Sequence, residues 1–186
     1  ATGTFVRNTC LQAGSLRGTG IMTGAVINSG GVVQPGSSIV PGTLTLANYT
    51  QSAYGRLDLK IGGLLAGSQY DVLKVSGQGT FGGSLSVRLI NGFTPGLGNT
   101  FNLLTCSFGC SGLNSGTLFG GGVSLPSLAS GLAWLSGLTD GGHDFSLTVV
   151  AAAASAPEPG MLLLVGSGLL GLLVWRWLRQ VQTSDK

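Results

Sequence analysis

The hexapeptide Arg56-Leu57-Asp58-Leu59-Lys60-Ile61 alternates charged and apolar residues without a break. On a strand, successive side chains point to opposite faces, so Leu57, Leu59 and Ile61 share one face and Arg56, Asp58 and Lys60 the other. The same period returns in Thr43-Leu44-Thr45-Leu46, in Asp71, Leu73 and Val75, and in Leu85, Val87 and Leu89, where Ser84, Ser86 and Arg88 face out. The inward residues Leu44, Leu57, Leu73 and Leu85 recur about every 12 to 16 positions, too closely for helical crossovers between strands. The body is therefore expected to be all-β. Periodicity alone permits a solenoid, a sandwich or an open meander.

Composition points the same way. Only 8% of residues are charged and 34 are glycine, whereas charged residues make up about a quarter of an ordinary globular chain. Glycine costs a helix about 1 kcal/mol per residue, and small side chains with frequent turns suit a repetitive β fold. Glycine and serine richness also marks disordered chains, but the regular Leu, Val and Ile alternation argues against disorder. Between residues 14 and 36, Leu16, Ile21-Met22-Thr23, Ala25-Val26-Ile27 and Val32-Val33 read as short strands punctuated by glycine. Pro35-Gly36 and Pro41-Gly42 are turn dipeptides, and Gly62-Gly63, Gly82-Gly83 and Asn91-Gly92 have the composition of two-residue hairpin loops. Residues 100–104 read as another strand and 107–122 as a loop. Residues 125–138 are ambiguous: Leu128, Leu132 and Leu135 fit a helical face that Gly131 and Gly137 weaken. Asp140-Gly141-Gly142 is a turn before a last strand over 145–150.

The end of the chain has a different character. Pro157-Glu158-Pro159 is followed by an uncharged apolar run over 160–175, then by Arg176, Trp177, Leu178 and Arg179. As a helix the run rises about 24 Å at ~1.5 Å per residue, slightly short of the ~20 residues that cross a hydrocarbon core. Trp177 and Leu178 extend it, Arg176 can snorkel, and the tryptophans stand where an interfacial belt would place them. A transmembrane helix is expected over 160–178. Arg176, Arg179 and Lys186 mark its cytoplasmic side, and the body lies on the other. A buried core helix, a permanent single-span anchor and a processed tail are the three readings of this segment. Ser167 and Gly171 form a small-xxx-small pair within it.

In its order of parts (Pro-Glu-Pro, short apolar span, basic cluster) the stretch 156–179 resembles the PEP-CTERM sorting signal of Gram-negative bacteria. The resemblance implies recognition by exosortase, a membrane-embedded transpeptidase-like enzyme. Cleavage would fall near Pro157, Glu158 and Pro159, with transfer to the cell surface or extracellular matrix. Another resemblance covers residues 14–104. Gly30-Gly31-Val32-Val33-Gln34-Pro35-Gly36, Asn48-Tyr49-Thr50-Gln51 and Gly82-Gly83-Ser84-Leu85-Ser86-Val87 are similar in texture to autotransporter-type β-helices. This implies a right-handed parallel β-helix, or β-solenoid, with an irregular C-terminal cap. The expected organisation is coils over 1–104, irregular capping strands over 105–150, a linker over 151–156 and the sorting signal over 157–186. An export signal is expected upstream, either already removed or outside a fragment; the strand character of the first residues favours the fragment, with coils beginning before Ala1. A self-translocating variant would need a C-terminal membrane barrel, which a single helical span does not provide.

The sequence offers little catalytic chemistry. Body cations Arg7, Arg17, Arg56, Lys60, Lys74 and Arg88 are dispersed among Asp58, Asp71, Asp140 and Asp144, giving no footprint for nucleic acid. His143, the single histidine, beside Asp144 reads as a solvated loop residue, and Asp58 and Asp71 as an outward pair near Lys60 and Lys74. No catalytic residue, metal site or cofactor is expected. Cys106 and Cys110 either form a local disulfide or stand, with Cys10, as free thiols; the odd number leaves at least one thiol without an intrachain partner. The leading expectation is a non-enzymatic surface or biofilm-matrix protein, possible contacts being exosortase, the membrane and extracellular polysaccharide. An adhesin would display an exposed aromatic row, for which Tyr49, Tyr54 and Tyr70 are the candidates. A β-helix enzyme acting on polysaccharide is disfavoured by the scarcity of acids and histidine.

Overall fold

The computed structural model describes residues 2–114 and 117–153. The chain divides into Ala1–Ala152 and Ala153–Lys186, and the first unit is all-β, as the alternation requires. It begins with β1 (Thr2–Phe5), β2 (Thr9–Leu11) and the long β3 (Ser15–Asn28). Then come β4 (Val32–Pro35), β5 (Thr43–Gln51), β6 (Arg56–Ile61), β7 (Val72–Val75), β8 (Gly79–Phe81), β9 (Ser84–Leu89) and β10 (Thr100–Cys106). The short β11 (Cys110–Ser111), β12 (Leu113–Asn114), β13 (Thr117–Leu118) and β14 (Val123–Ser124) precede β15 (Leu132–Thr139) and β16 (Asp144–Ala151). Fourteen of these strands form one curled open sheet, while β12 and β13 pair separately.

Two parallel ladders make up most of the sheet. The first runs from the start of β3 through β4, β6 and β9 to β14. The second runs from β1 and β2 through the rest of β3, then β5, then β7 with β8, then β10 with β11. After β3 the chain alternates between the ladders, and apart from the β2–β3 and β3–β4 pairs the parallel pairings join strands that are not consecutive in sequence. The glycine dipeptides Gly62-Gly63, Gly82-Gly83 and Asn91-Gly92, which have the composition of hairpin loops, close no hairpin. The antiparallel part is β16 on β10 and β15 on β16, joined through the 3-10 turn Asp140–Gly142.

Register turns the leucine alternation into stacks. Val33, Leu57 and Leu85 are partners down the first ladder, and Leu44, Leu73 and Leu104 down the second. All six are buried, each contributing roughly 1.5–3 kcal/mol by leaving water. Aromatic rings extend the core toward the C-terminal side: Tyr49, Phe81, Phe119 and Phe145 follow one another at centroid distances of 5.5, 5.7 and 6.2 Å.

Two local expectations are corrected and one ambiguity is resolved. The fragments between 16 and 27 belong to one 14-residue strand. Gly18 and Gly20 have φ of 134° and 126° where that strand passes from one ladder to the other, so the glycines bend the strand instead of ending it. The helical face over Leu128, Leu132 and Leu135 does not form. Residues 132–139 pair continuously with 144–151, which satisfies the backbone that a glycine-interrupted helix would leave frayed. The segment expected as a loop over 107–122 carries β11, in parallel pairing with β8. No helix among the described residues is long and apolar enough to cross a membrane; the helix expected over 160–178, with Ser167 and Gly171, lies outside them.

Close stacking of the turns makes a testable demand. Gly83 has φ of 59°, and a β-carbon there would collide with the Gly55 carbonyl of the preceding circuit. Gly137, in β15, faces open space. Gly83→Ala is expected to destabilise the protein by more than about 2 kcal/mol, and Gly137→Ala to change it by less than about 0.5 kcal/mol, as read by urea unfolding. Equal effects would contradict the stacked-turn geometry.

Candidate functional site

The strongest polar constellation in the body lies where the chain crosses from the first ladder to the second. Lys60 follows the period-two pattern onto the face opposite Leu59 and Ile61, yet its side chain is wholly inaccessible, as is that of Asp71. The Lys60 ammonium donates to Asp71 Oδ2 at 2.6 Å and to the Pro35 carbonyl at 2.9 Å. Asp71 also accepts the Lys60 backbone N–H on Oδ2 at 2.8 Å and the Gly42 N–H on Oδ1 at 2.9 Å. One ion pair thus holds the end of β4, the residue before β5, the penultimate residue of β6 and the residue before β7. The expected outward placement of Lys60 and Asp71 is therefore corrected. The segments 36–42 and 62–71 fold over this part of the sheet and leave loop-base groups, notably Pro35 O and Gly42 N–H, that need buried partners. Burial raises the Asp71 carboxyl to about 6, against the opposing pull of Lys60 and the two N–H groups. Burial also lowers the Lys60 ammonium, with Asp71 opposing the shift.

A neutral polar network occupies the opposite crossing. Asn28 and Gln51 are register partners and both are buried. Asn28 accepts from Gly31 N–H at 2.9 Å and donates to the Arg56 carbonyl and the Tyr49 hydroxyl, each at 3.3 Å. Tyr49 donates to Gln51 Oε1 at 2.8 Å, and Gln51 donates to the Gly82 and Ser84 carbonyls at 2.6 and 3.1 Å. Burial raises the Tyr49 hydroxyl well above its ordinary range. Asn28 and Gln51 were not singled out from the sequence, and Tyr49 was named only for an exposed aromatic row. Their signal is a polar residue ending an alternating strand just before a glycine-containing turn, as in Asn28-Ser29-Gly30 and Gln51-Ser52-Ala53-Tyr54-Gly55.

The remaining sequence candidates do not converge. Cys106 and Cys110 are joined in a disulfide, and Cys10 is free and exposed. His143 is half-buried rather than solvated: its Nδ1 lies 2.8 Å from the Cys106 carbonyl, and its own carbonyl accepts the Cys106 N–H at 2.8 Å. Antiparallel pairing of β16 with β10 brings it there. Tyr49 and Tyr70 are buried, with Tyr70 edge-on to Phe101, and of the three tyrosines Tyr54 alone is exposed. The candidate aromatic row is therefore absent, because two of its rings serve the core. Asp58 is bound by Arg56 at 2.9 Å and Asp144 by Asn102 at 2.8 Å. Among the described residues no three His, Cys, Asp or Glu side chains group as a metal set. A shallow groove of about 390 Å³ is lined by Arg56, Ser84, Ser86, Val123 and Ser124. It contains hydroxyls and one engaged guanidinium, but no acid–base pair.

Pro157, Glu158, Pro159, Arg176 and Arg179 lie outside the described residues. Their assignment comes from comparison: residues 155–180 match the family model of the PEP-CTERM protein-sorting motif. The chain thus carries a sorting signal of the exosortase-dependent export system, which implies recognition by exosortase and targeting to the cell surface. No curated protein and no solved structure matches the chain.

The ion pair yields two expectations. Lys60→Met, which leaves a buried carboxylate without its cation, should cost about 3–5 kcal/mol in urea unfolding. Adding Asp71→Leu should cost less than the sum of the two single changes, since the residues share one network. The second concerns pH. Between about 4 and 6 the folded state retains a proton on Asp71 that the unfolded chain, with its carboxyl near 3.8, has released. This contribution is fully present below about pH 4 and is lost as pH rises toward 6, the reverse of an ordinary ion-paired aspartate. Unfolding midpoints measured across that window should show the slope in the native chain and lose it in Asp71→Asn.

Proposed function

We propose that the chain is a non-enzymatic protein of the cell surface or extracellular matrix, delivered as a short parallel β-solenoid on an exosortase-processed tail. The observation that carries this reading is the sorting motif at 155–180, whose Pro157-Glu158-Pro159, apolar run and Arg176/Arg179 stand in the required order. In the precursor, residues 160–178 span the inner membrane with the arginines on the cytoplasmic side and the body on the other. Exosortase then cleaves near Pro157–Pro159 and transfers the body outward.

The body suits a structural role. Its two parallel ladders, with in-register apolar stacks, support the solenoid assignment. The buried charges are spent on each other and on backbone groups, and the other aspartates do not gather on one face. Function is argued from the site and not from the fold, and these features favour a spacer or matrix component over catalysis.

The test is a Pro157→Ala/Pro159→Ala double change in a host with an active exosortase. The native chain is expected to lose its tail and leave the inner-membrane fraction, and the variant to stay there at full length. Equal processing of both, or retention of both in the membrane, would overturn the proposal, the latter in favour of a permanent anchor.

A further inference from the structure

Three loops cross from the first ladder to the second, over residues 36–42, 62–71 and 90–99, and they stack on one another. Gly42 is tied to Asp71, Arg88 donates to the Ser38 carbonyl at 2.6 Å, and Ile90 N–H bonds the Ile61 carbonyl at 2.9 Å. The bases of the first two are largely buried, but the tips of all three expose aliphatic side chains: Ile39 at 72%, Val40 at 57%, Leu64 at 53%, Leu65 at 62% and Leu97 at 66%. The only acidic residue in the three loops is Asp71, which is buried. Arg88 beside them is exposed, as is Arg17, whose neighbour Gly18 pairs with Pro35 at the base of the first loop. This is an aliphatic ridge with cationic flanks along one edge of the body.

The chain leaves the body at the same edge. Because β16 runs antiparallel to β10, its end lies beside the third loop: Gly98 N–H bonds the Val149 carbonyl and Val149 N–H the Asn99 carbonyl, both at 2.8 Å. The described body therefore ends at this edge rather than at the one bearing Tyr54. Four residues, 153–156, lie between Ala152 and Pro157, and the eight steps from Ala152 to residue 160 reach at most about 29 Å as extended chain.

From the ridge, its flanking arginines and the exit point, we infer that the loops 36–42, 62–71 and 90–99 form a membrane-docking edge that rests on an anionic phospholipid surface while the precursor awaits cleavage. This rests on the reading of the tail as membrane-inserted. Aliphatic side chains enter the headgroup–acyl boundary, and guanidinium groups meet lipid phosphates. Each contact is weak, but tethering raises the effective concentration of the surface enough for the contacts to act together. The docked edge keeps the end of β16 near the bilayer, where a membrane-embedded enzyme works. Cleavage removes the tether, and the edge releases.

The test uses the full chain with Cys10→Ser, in vesicles of phosphatidylethanolamine and phosphatidylglycerol. Single cysteines at Leu64, Leu97, Tyr54 or Leu169 carry a fluorophore, and nitroxide-labelled lipids act as quenchers. Headgroup-level nitroxide is expected to lower emission at Leu64 and Leu97 roughly twofold and to leave Tyr54 nearly unchanged, while deep acyl nitroxide quenches Leu169. If Leu169 is quenched but Leu64 and Leu97 behave like Tyr54, the docking edge is wrong and the inserted tail stands. If Leu169 is not quenched, the inserted tail fails and the docking edge with it. Leu64 and Leu97 labels shielded from water but not quenched by lipid, together with cross-linking between copies, would assign the ridge to a second copy of the chain and overturn the inference.

Discussion

The Lys60 ammonium and the Asp71 carboxylate meet where no water reaches them, and the crossing segments depend on that contact. A buried charge is tolerated when it is paired and its remaining hydrogen-bonding capacity is filled. Here the filling is done by Pro35 O, Gly42 N–H and the Lys60 N–H, which belong to successive passes of the chain. The pair is thus a tie between circuits. It fixes the bases of the loops at 36–42 and 62–71, and through them the line along which their apolar tips stand. At the other crossing, Asn28, Tyr49 and Gln51 do the same with neutral groups, at turns too tight to be covered by loops of their own.

Much of this body was legible in the sequence, because a two-residue period needs no tertiary information to be read. Leu44, Leu57, Leu73 and Leu85 all lie in the core, and the short spacing correctly excluded helical crossovers. Pairing direction was harder. Gly82-Gly83 has the composition of a hairpin loop, but its flanking strands β8 and β9 belong to different ladders, so direction is decided by partners a full circuit away. Lys60 shows the same limit. Period two places it opposite Leu59, but whether that face is wet depends on segments that fold over it from elsewhere. Asp71 gives no local sign that its partner lies eleven residues back. The tail is the converse case: its meaning rests on a linear order of parts that a processing enzyme reads, so the sequence carries it directly.

Body and tail divide the work. The body buries one ion pair, Lys60 with Asp71, and among the described residues offers no convergent set of acids, while the tail carries the address. Within the body, the end of β16 lies beside the loop at 90–99.

The measurement that bears most directly on the central claim is the intact mass of the mature protein from its native host, taken by cell fraction. A species ending near Pro157–Pro159 and recovered outside the inner membrane is the predicted result. Full-length chain confined to the inner membrane would contradict the account and make the segment after residue 159 a permanent anchor.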